Sequence, residues 1–373
     1  MHGPCFAGFV CTLVVQALWL LGCSLCGLWE YLQSWFFHLV FLDCSRPERL
    51  LAPAQDVSGL QMLHVAYTTE KRLFPDLLLS MVSLSQHLHD PRQCTFHVIV
   101  YEPEVEATSE LLECFRRSVA MLQHIPAVIF HGYQPDSLML NFSRYDRNRR
   151  HPVTDKPMTW ARLRLDRYLP TVPRVLYLDT DTIVKADVRS LYQMRMRHAV
   201  AAAQDSWVES YEAPARILLD VGDEVPELNI SRRTFFSSGV MLLDLERWRQ
   251  EDLGGYLDSW VSRIPSTRAL HANWHDQDLL NVALQDRRDL LDWRWNVVGM
   301  AFQMYVDPRC VDGASILHFS PKLSSTHWLT DPEFLDSWGG LRLDPFMEPL
   351  RICPDLLRLT FSAPRLSSET WDM

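Results

Sequence analysis

Short apolar runs alternate along the chain with segments whose apolar residues recur at helical spacing. The runs at 60–69, 95–102 and 127–133 are rich in β-branched and aromatic residues, which favours strands. Between them, the segments 75–88 and 106–122 carry the spacing typical of a helix with one apolar face. Strands that alternate with helices predict an open α/β sheet whose strands are mostly parallel.

The same alternation continues through the middle of the chain. The segment "TWARLRLDRYLP", residues 159–170, predicts a helix that is stopped by prolines. Buried strands are predicted at 175–178 and 199–205, and "FFSSGVMLLDLERWRQ", residues 235–250, runs from a strand into a helix. The α/β pattern therefore extends well beyond the first three strands.

The amino-terminal stretch differs from the rest. The first 29 residues contain no Lys, Arg, Asp or Glu, and residues 5–29 are long enough for a membrane crossing of roughly 20 residues. This pattern predicts a signal anchor at 1–29, a stem at 30–58, a globular domain at 59–345 and a tail at 346–373. A cleaved signal peptide and a buried core helix are the alternatives.

Two signals disagree about the orientation of this leader. Arg46 and Arg49 are the first basic residues after it, and the positive-inside rule alone places the globular part in the cytosol. The N-glycosylation sequons at Asn141 and Asn229 favour a secretory lumen instead. We expect a single-pass type II protein of the Golgi or endoplasmic reticulum membrane, with its globular part in the lumen.

The cysteines of the globular part leave several arrangements open. They are Cys94, Cys114, Cys310 and Cys353. Four cysteines allow two disulfides in three pairings, and none of these spacings is typical of a zinc site. Buried free thiols are the alternative.

Net charge excludes one class of partner. The chain is acidic, with a formal net charge of −10 and a pI near 5.8. Proteins that bind nucleic acid normally carry a basic patch. We therefore expect no nucleic-acid partner.

A hydrophobic strand that ends in two carboxylates raises the main chemical question. In "RVLYLDTDTIVKAD", residues 175–178 lead directly to Asp179 and Asp181, which repel each other. Alternation along a strand would place both carboxylates on one side, at the sheet edge where open α/β folds bind ligands. Paired carboxylates are the ligands that a hard divalent cation prefers. A turn rich in Asp and Thr is the alternative.

The run "YLDTDTIV" resembles the metal-binding motif of glycosyltransferase family 8, the group that includes glycogenin and the lipopolysaccharide galactosyltransferases. Further blocks resemble that family in the same order: "HVAYTTE", "TWARLRL", "FFSSGVMLLDLERW", "HDQDLLN" and "ILHFSPKLSSTHW". Together they extend over roughly Met62 to Trp338, which is most of the chain. The resemblance implies the single-domain glycosyltransferase A fold, with a Rossmann-like, mostly parallel twisted sheet.

The resemblance also implies which residues form the site. Asp179, Asp181 and His318 would ligate a divalent cation, with Mn²⁺ expected and Mg²⁺ as the substitute. The nucleotide-sugar donor would be contacted by positions in the matching blocks: Ala66, Tyr67, Thr68, Arg162, Asp179, Thr180, Asp181 and Lys322. The catalytic candidates beside the transferred sugar are Gln277, Asp276 and Asp205.

Each catalytic candidate has an expected role. Gln277 would lie nearest the anomeric carbon and stabilise an oxocarbenium-like state, because an amide is a poor nucleophile. Asp205 is a second candidate for contacts with sugar hydroxyls. Asp276 and Asp278 would also be favourable in the first turn of a helix for purely structural reasons.

The implied activity is that of a metal-dependent retaining glycosyltransferase. It would move a hexose or pentose from a uridine-diphosphate (UDP) sugar to a glycan, glycoprotein or glycolipid acceptor. The acceptor is expected near Trp274, Trp293 and Trp295, although core packing is the alternative role for each tryptophan.

Two departures from the family pattern motivate an alternative function. The usual lysine six residues after His318 is Ser324 here. Lys322 lies four residues after His318, where it either takes over the contact with the diphosphate or is a solvated loop lysine. Ser237 stands where the family usually has Asn. The alternative is a catalytically silent relative that binds nucleotide sugar or glycan. A sugar nucleotidyltransferase is disfavoured, because "AYTTEKRLFPD" lacks the glycine-rich loop that it would need.

Overall fold

The computed structural model describes residues 62–134, 158–205, 235–263, 276–285, 287–300, 306, 308–320 and 344–356. Some sequence predictions lie outside these residues, namely the leader at 1–29, the stem at 30–58, Asn141, Asn229, Trp274, Lys322 and Ser324. Within the described part, no helix combines the length and the apolar character that a bilayer crossing requires.

A seven-stranded sheet forms the centre of the protein, in the order β3-β2-β1-β4-β7-β6-β8. Its neighbours are parallel except for β7, which is antiparallel to both β4 and β6. The prediction of a mostly parallel α/β sheet is therefore confirmed. A separate antiparallel pair is formed by β5 and β9. The strands are β1 (Leu63–Thr69), β2 (Cys94–Tyr101), β3 (Ala127–Tyr133), β4 (Arg174–Leu178), β5 (Thr182–Val184), β6 (Val200–Gln204), β7 (Phe236–Asp244), β8 (Asp289–Leu291) and β9 (Ile316–His318).

Helices connect and cover these strands. The described α-helices are α1 (Phe74–His87), α2 (Thr108–Ser118), α3 (Met158–Ala161), α4 (Leu165–Tyr168), α5 (Arg189–Tyr192), α6 (Leu245–Gln250), α7 (Leu253–Arg263), α8 (Asp276–Leu284), α9 (Pro308–Gly313) and α10 (Glu348–Ile352). Short 3₁₀ helices occur at Lys71–Leu73, Pro91–Gln93, Glu102–Ala107, Arg162–Arg164, Trp293–Trp295 and Asp344–Met347.

The central strands are covered on both faces, which explains why their sequences lack strict alternation. Every residue of β1 except His64 is buried. Tyr67 belongs to the apolar cluster on the α1 side of the sheet. Its neighbour Ala66 belongs to the cluster on the opposite side, together with Tyr177 and Trp160. The sheet therefore separates two cores.

The helix predicted over 159–170 is interrupted. It is divided into α3, the 3₁₀ turn at 162–164, and α4. The backbone of Arg164 leaves the helical region at φ −120° and ψ 16°. The guanidinium of Arg164 is buried and paired with Asp258 of α7. A tertiary ion pair thus accompanies the break, which propensity along the segment does not reveal.

One disulfide joins distant parts of the chain. Cys114 of α2 is bonded to Cys353, which follows α10, with their Cα atoms 5.9 Å apart. Cys94 remains a buried free thiol. The four cysteines of the globular part therefore do not form two bridges among themselves. The disulfide prediction holds for Cys114 and Cys353, and the alternative of a buried free thiol holds for Cys94.

Three histidines lie side by side across the first three strands. His64 Nδ1 is 3.0 Å from His97 Nε2, and His97 Nδ1 is 3.2 Å from His131 Nε2. Burial lowers the pKa of all three imidazoles. For His97, burial and then the two neighbouring rings lower the pKa to about 4.

We expect this histidine row to make folding stability depend on pH. The unfolded chain binds more protons than the folded protein between the ordinary histidine pKa of 6.5 and a value of about 4. The free energy of unfolding therefore falls as the pH is lowered through this window. His97 contributes at most about 1.4 kcal/mol per pH unit.

Urea unfolding at several pH values checks this expectation. His97→Gln should show a shallower loss of stability towards acid than the parent. His124→Gln is the control, because His124 is exposed and should leave the parent's slope unchanged. If stability fell equally steeply with decreasing pH in the parent and in His97→Gln, protonation of the histidine row would not contribute to the pH dependence of folding.

Candidate active site

The candidate site begins at the carboxyl end of β4. The strand ends at Leu178, and residues 179–181 form the turn into β5. The interpretation that strand alternation places Asp179 and Asp181 on one side was therefore wrong, because the turn itself brings them together. Backbone hydrogen bonds fix this turn: Asp179 N–H donates to Gly239 O at 2.7 Å, and Phe319 N–H donates to Asp181 O at 2.9 Å.

The pairing of β5 with β9 brings a histidine to this turn. Thr182 is the register partner of His318. His318 Nε2 lies 3.4 Å from Asp181 Oδ1 and 3.6 Å from Asp179 Oδ2. One ligand atom from each of the three side chains lies within 4.8 Å of the others. The three predicted metal ligands are thus together in space.

This set of groups fits a divalent cation. Within the described residues, His318 Nε2 is buried and has no hydrogen-bond partner. Burial lowers the pKa of His318, but Asp181 and then Asp179 outweigh that effect and raise it overall. The position between the two carboxylates therefore attracts positive charge. Two carboxylates and an imidazole are a ligand set that Mn²⁺ and similar ions accept.

Arg162 places its positive charge beside two carboxylates, those of Asp179 and Asp276. Its Nη2 lies 2.9 Å from Asp179 Oδ1, and its Nε lies 2.9 Å from Asp276 Oδ2. Its Nη1 donates to the carbonyl and the hydroxyl of Ser238, at 3.1 Å each. The guanidinium also lies over the ring of Tyr177, 4.8 Å from the centroid. Arg162 therefore connects the β4 turn, β7 and the start of α8.

Tyr177 connects this arginine to the first strand. Its hydroxyl donates to Asp179 Oδ1 at 2.7 Å. The hydroxyl oxygen of Tyr177 also lies 3.0 Å from Thr68 Oγ1. Thr68 must be the donor in this second hydrogen bond, because Tyr177 has only one hydroxyl proton. Of the three donor-binding candidates in β1, Thr68 is thus linked to Asp179, whereas Tyr67 accepts from Ser80 of α1 at 3.1 Å. Ala66 is fully buried in the sheet.

The catalytic candidates Gln277 and Asp205 are in direct contact. Gln277 Nε2 donates to Asp205 Oδ2 at 3.0 Å, and Gln277 Oε1 accepts from Ser238 N–H at 2.9 Å. Both ends of the amide are therefore held. Asn281, one helical turn further along α8, exchanges hydrogen bonds with both backbone groups of Phe236. This contact fastens α8 to β7 and so fixes Gln277.

Asp276 and Thr180 are buried beside these groups. Burial raises the pKa of Asp276 to about 6, against the lowering effect of Arg162 and with a smaller raising effect of Asp179. Asp276 lies in the first turn of α8, as the sequence predicted. Its ion pair with Arg162 shows that it does more than start the helix. Thr180 is 5% exposed.

Gly239 allows His318 to reach its position. A Cβ atom at this residue would lie 2.0 Å from His318 Cε1 and 2.7 Å from His318 Nδ1. Such distances are far below van der Waals contact, so the imidazole can lie here only because residue 239 has no side chain. The glycine of "FSSGV" is therefore explained by a close approach rather than by backbone freedom.

The expected acceptor position is not supported at Trp293. This residue is 5% exposed and packs in the core, where its ring approaches Gly313. Trp295 is partly buried and packs against the same cluster. Core packing, the alternative role for these tryptophans, is confirmed for Trp293.

Comparison with solved structures identifies the fold. The galactosyltransferase LgtC, in complex with donor and acceptor sugar analogues, matches with a TM-score of 0.56 and 20% sequence identity. The match covers 77% of this chain and 95% of LgtC. The mixed α/β fold is thus that of the A-fold glycosyltransferases, with an Asp-Asp-His candidate metal site at the end of β4.

Comparison with protein families identifies the chain more closely. The model described as "Glycosyl transferase family 8" matches residues 64–324. The chain belongs to this family, and the resemblance inferred from the sequence blocks is confirmed. It is 25% identical over 268 residues to "Probable galacturonosyltransferase-like 4" of Arabidopsis thaliana, which is 71% of each chain. It is 31% identical over 184 residues to "Glycosyltransferase 8 domain-containing protein 1" of Xenopus tropicalis, covering 44% of this chain and 49% of the relative.

Sequence reasoning missed several residues of this site: Tyr177, Ser238, Gly239 and Asn296. Tyr177 and Gly239 lie inside blocks that were recognised, so their positions beside Asp179 and Ser237 were available signals. Asn296, which follows Trp295, contacts His318 only through the fold. No local pattern indicates that contact.

Proposed function

We propose that this family 8 member is a metal-dependent retaining glycosyltransferase. It transfers a hexose or pentose from a UDP-sugar to a glycan, glycoprotein or glycolipid acceptor. The observation that carries the proposal is the convergence of Asp179, Asp181 and His318 at the carboxyl end of β4. Further polar side chains beside these three residues are carried by another strand and by a helix. Polar groups that converge from several elements are typical of a substrate cleft.

The residues divide between the donor's diphosphate and its sugar. Asp179, Asp181 and His318 would hold a divalent cation, Mn²⁺ or Mg²⁺, which when bound supplies Lewis-acid stabilisation of the leaving diphosphate. Ala66, Tyr67, Thr68 and Thr180 are proposed at the nucleotide, and Lys322 at the diphosphate. Arg162 is engaged by two carboxylates, so we assign it to holding Asp179 and Asp276 in place as well as to the donor side.

Gln277 is proposed to stabilise the sugar as positive charge develops at its anomeric carbon. Its amide oxygen already accepts from Ser238 N–H and its amide nitrogen donates to Asp205. Preorganised dipoles of this kind favour the transition state because they need not reorient during the reaction. Asp205, on the same contact, is proposed to bind sugar hydroxyls.

A donor-hydrolysis screen tests the proposal. The full-length protein would be incubated with a set of UDP-sugars and Mn²⁺, and released UDP measured with and without a chelator. Metal-dependent hydrolysis of at least one donor is expected. Binding of a UDP-sugar without hydrolysis or transfer to any acceptor would favour the silent-relative alternative, and absence of both would reject a donor site.

The globular part is proposed to face the lumen of the Golgi or endoplasmic reticulum, with the leader as a type II membrane anchor. The sequons at Asn141 and Asn229 support this assignment. The Cys114–Cys353 disulfide supports it as well, because disulfides persist mainly in oxidising compartments.

Removal of N-glycans checks the lumenal proposal. The protein expressed in animal cells should migrate faster after treatment with an N-glycan-removing enzyme. Substituting Gln for both Asn141 and Asn229 should remove the shift. Absence of a shift in the parent, with digestion of the globular part by protease added to the cytosolic side, would overturn the proposed topology.

A further inference from the structure

We propose that Asn296 is a positioning residue that keeps His318 in the tautomer able to ligate a divalent cation. The inference rests on the proposed metal site and deepens it. Among the described residues, the side-chain hydrogen bond of Asn296 goes to the imidazole of His318, so its effect on the site passes through that ring.

The backbone around Asn296 is fixed. Its N–H donates to Trp293 O at 3.0 Å, at the end of the 3₁₀ helix Trp293–Trp295. The next residue, Val297, donates its N–H to Ile316 O at 3.0 Å and accepts from His318 N–H at 2.9 Å. Asn296 is therefore anchored to the strand that carries His318.

The side-chain contact determines where the imidazole carries its proton. Asn296 Oδ1 lies 3.0 Å from His318 Nδ1, and both residues are buried. An amide oxygen can only accept, so Nδ1 must carry the hydrogen. In the neutral ring Nε2 then presents its lone pair, and Nε2 is the atom that faces Asp181 and Asp179 at 3.4 and 3.6 Å.

Without this contact, the two carboxylates would favour the opposite tautomer. A hydrogen on Nε2 could point at Asp181 or Asp179, but that nitrogen would no longer be a metal ligand. The amide oxygen of Asn296 thus offsets the preference of the acidic pair. Histidine ligands in metal sites are commonly held by an acceptor on their other nitrogen.

Direct measurement of Mn²⁺ binding tests the inference without any sugar substrate. Isothermal calorimetry on the full-length protein should give a dissociation constant about 10–100-fold weaker for Asn296→Ala than for the parent. Asn296→Asp, whose carboxylate can accept from His318 Nδ1–H in the same way, should keep the affinity close to the parent's. In metal-free protein at alkaline pH, nitrogen NMR of the His318 ring should show Nδ1–H in the parent and Nε2–H in Asn296→Ala.

Asp292→Ala is the matched control. The Asp292 carboxylate accepts from Arg294 N–H at 2.9 Å and starts the same 3₁₀ helix, so its loss loosens the segment without touching His318. Equal weakening by Asp292→Ala and Asn296→Ala, or parent-like Mn²⁺ binding by Asn296→Ala, would overturn the role of Asn296 while leaving the metal site intact. A parent that binds no Mn²⁺ would overturn the metal site and the role of Asn296 together. Mn²⁺ binding by a parent that hydrolyses no UDP-sugar would count against the proposed activity only.

Discussion

Asp181→Asn is expected to abolish metal-dependent turnover with little change in folding stability. Asp179→Asn is expected to abolish turnover and also to lower folding stability. Each substitution removes one of the three proposed ligands, and the electrostatic stabilisation of a leaving diphosphate by a bound cation is worth several kcal/mol. We therefore expect donor hydrolysis to fall by about a thousandfold or more in either variant.

The difference in stability follows from the partners of Asp179. Its carboxylate contacts Arg162 at 2.9 Å and accepts from Tyr177 at 2.7 Å. Removing its charge leaves the buried Arg162 with Asp276 as its remaining acidic partner among the described residues. Hydrogen bonds to charged groups contribute roughly 1.5–3 kcal/mol, so a loss of about this size is expected for Asp179→Asn. Asp181→Asn relieves repulsion between two acids and should cost less.

Three measurements separate these effects: donor hydrolysis at fixed Mn²⁺, calorimetric Mn²⁺ binding, and urea unfolding in chelator. Asp187→Asn is the control for loss of an acidic charge from the same part of the chain. Its carboxylate accepts from Arg189 N–H and His89 N–H, away from the triad. Near-normal hydrolysis by Asp181→Asn would reject the metal-site interpretation, and equal stability of the two variants would reject the structural role of Asp179.

The sheet could be predicted because the local sequence of its first strands already indicates β structure. β1 and β2 are largely apolar runs next to helical segments, and burial on both faces imposes that composition. β3 lies at the sheet edge and is largely exposed or half-buried, so its β-branched and aromatic residues were the signal there. The pairing of β5 with β9 could not be predicted in the same way. Each has three residues, too few for a period to be read, and they are far apart in the chain.

The site shows the same division between local and non-local information. Asp179 and Asp181 were recognisable because two like charges after a buried strand are locally unfavourable. His318 was identified only through the resemblance of its block. The bridging role of Arg162 was not predicted, because its two partners are Asp179 and Asp276, one of them more than a hundred residues away. Such contacts follow from the fold rather than from spacing.

Gly239→Ala is expected to disable the metal site while leaving the sheet intact. The added Cβ would lie 2.0 Å from His318 Cε1, so the imidazole must move. His318 cannot follow easily, because its N–H donates to Val297 O at 2.9 Å and its Nδ1 contacts Asn296. We expect Mn²⁺ affinity to fall by about 100-fold, the upper end of what changes around a ligand cause. Residue 239 lies inside β7 without positive φ, so alanine itself suits the backbone.

A double-mutant cycle shows whether the effect passes through the imidazole. If it does, Gly239→Ala should have almost no further effect on Mn²⁺ affinity in a His318→Ala background, because residues in contact are not additive. Gly132→Ala is the matched control in β3, where the added Cβ meets nothing closer than 3.6 Å and binding should equal the parent's. Parent-like Mn²⁺ affinity in Gly239→Ala would mean that the ring can move aside and still ligate. Additive losses in the double mutant would mean that residue 239 acts on the site by a route other than His318.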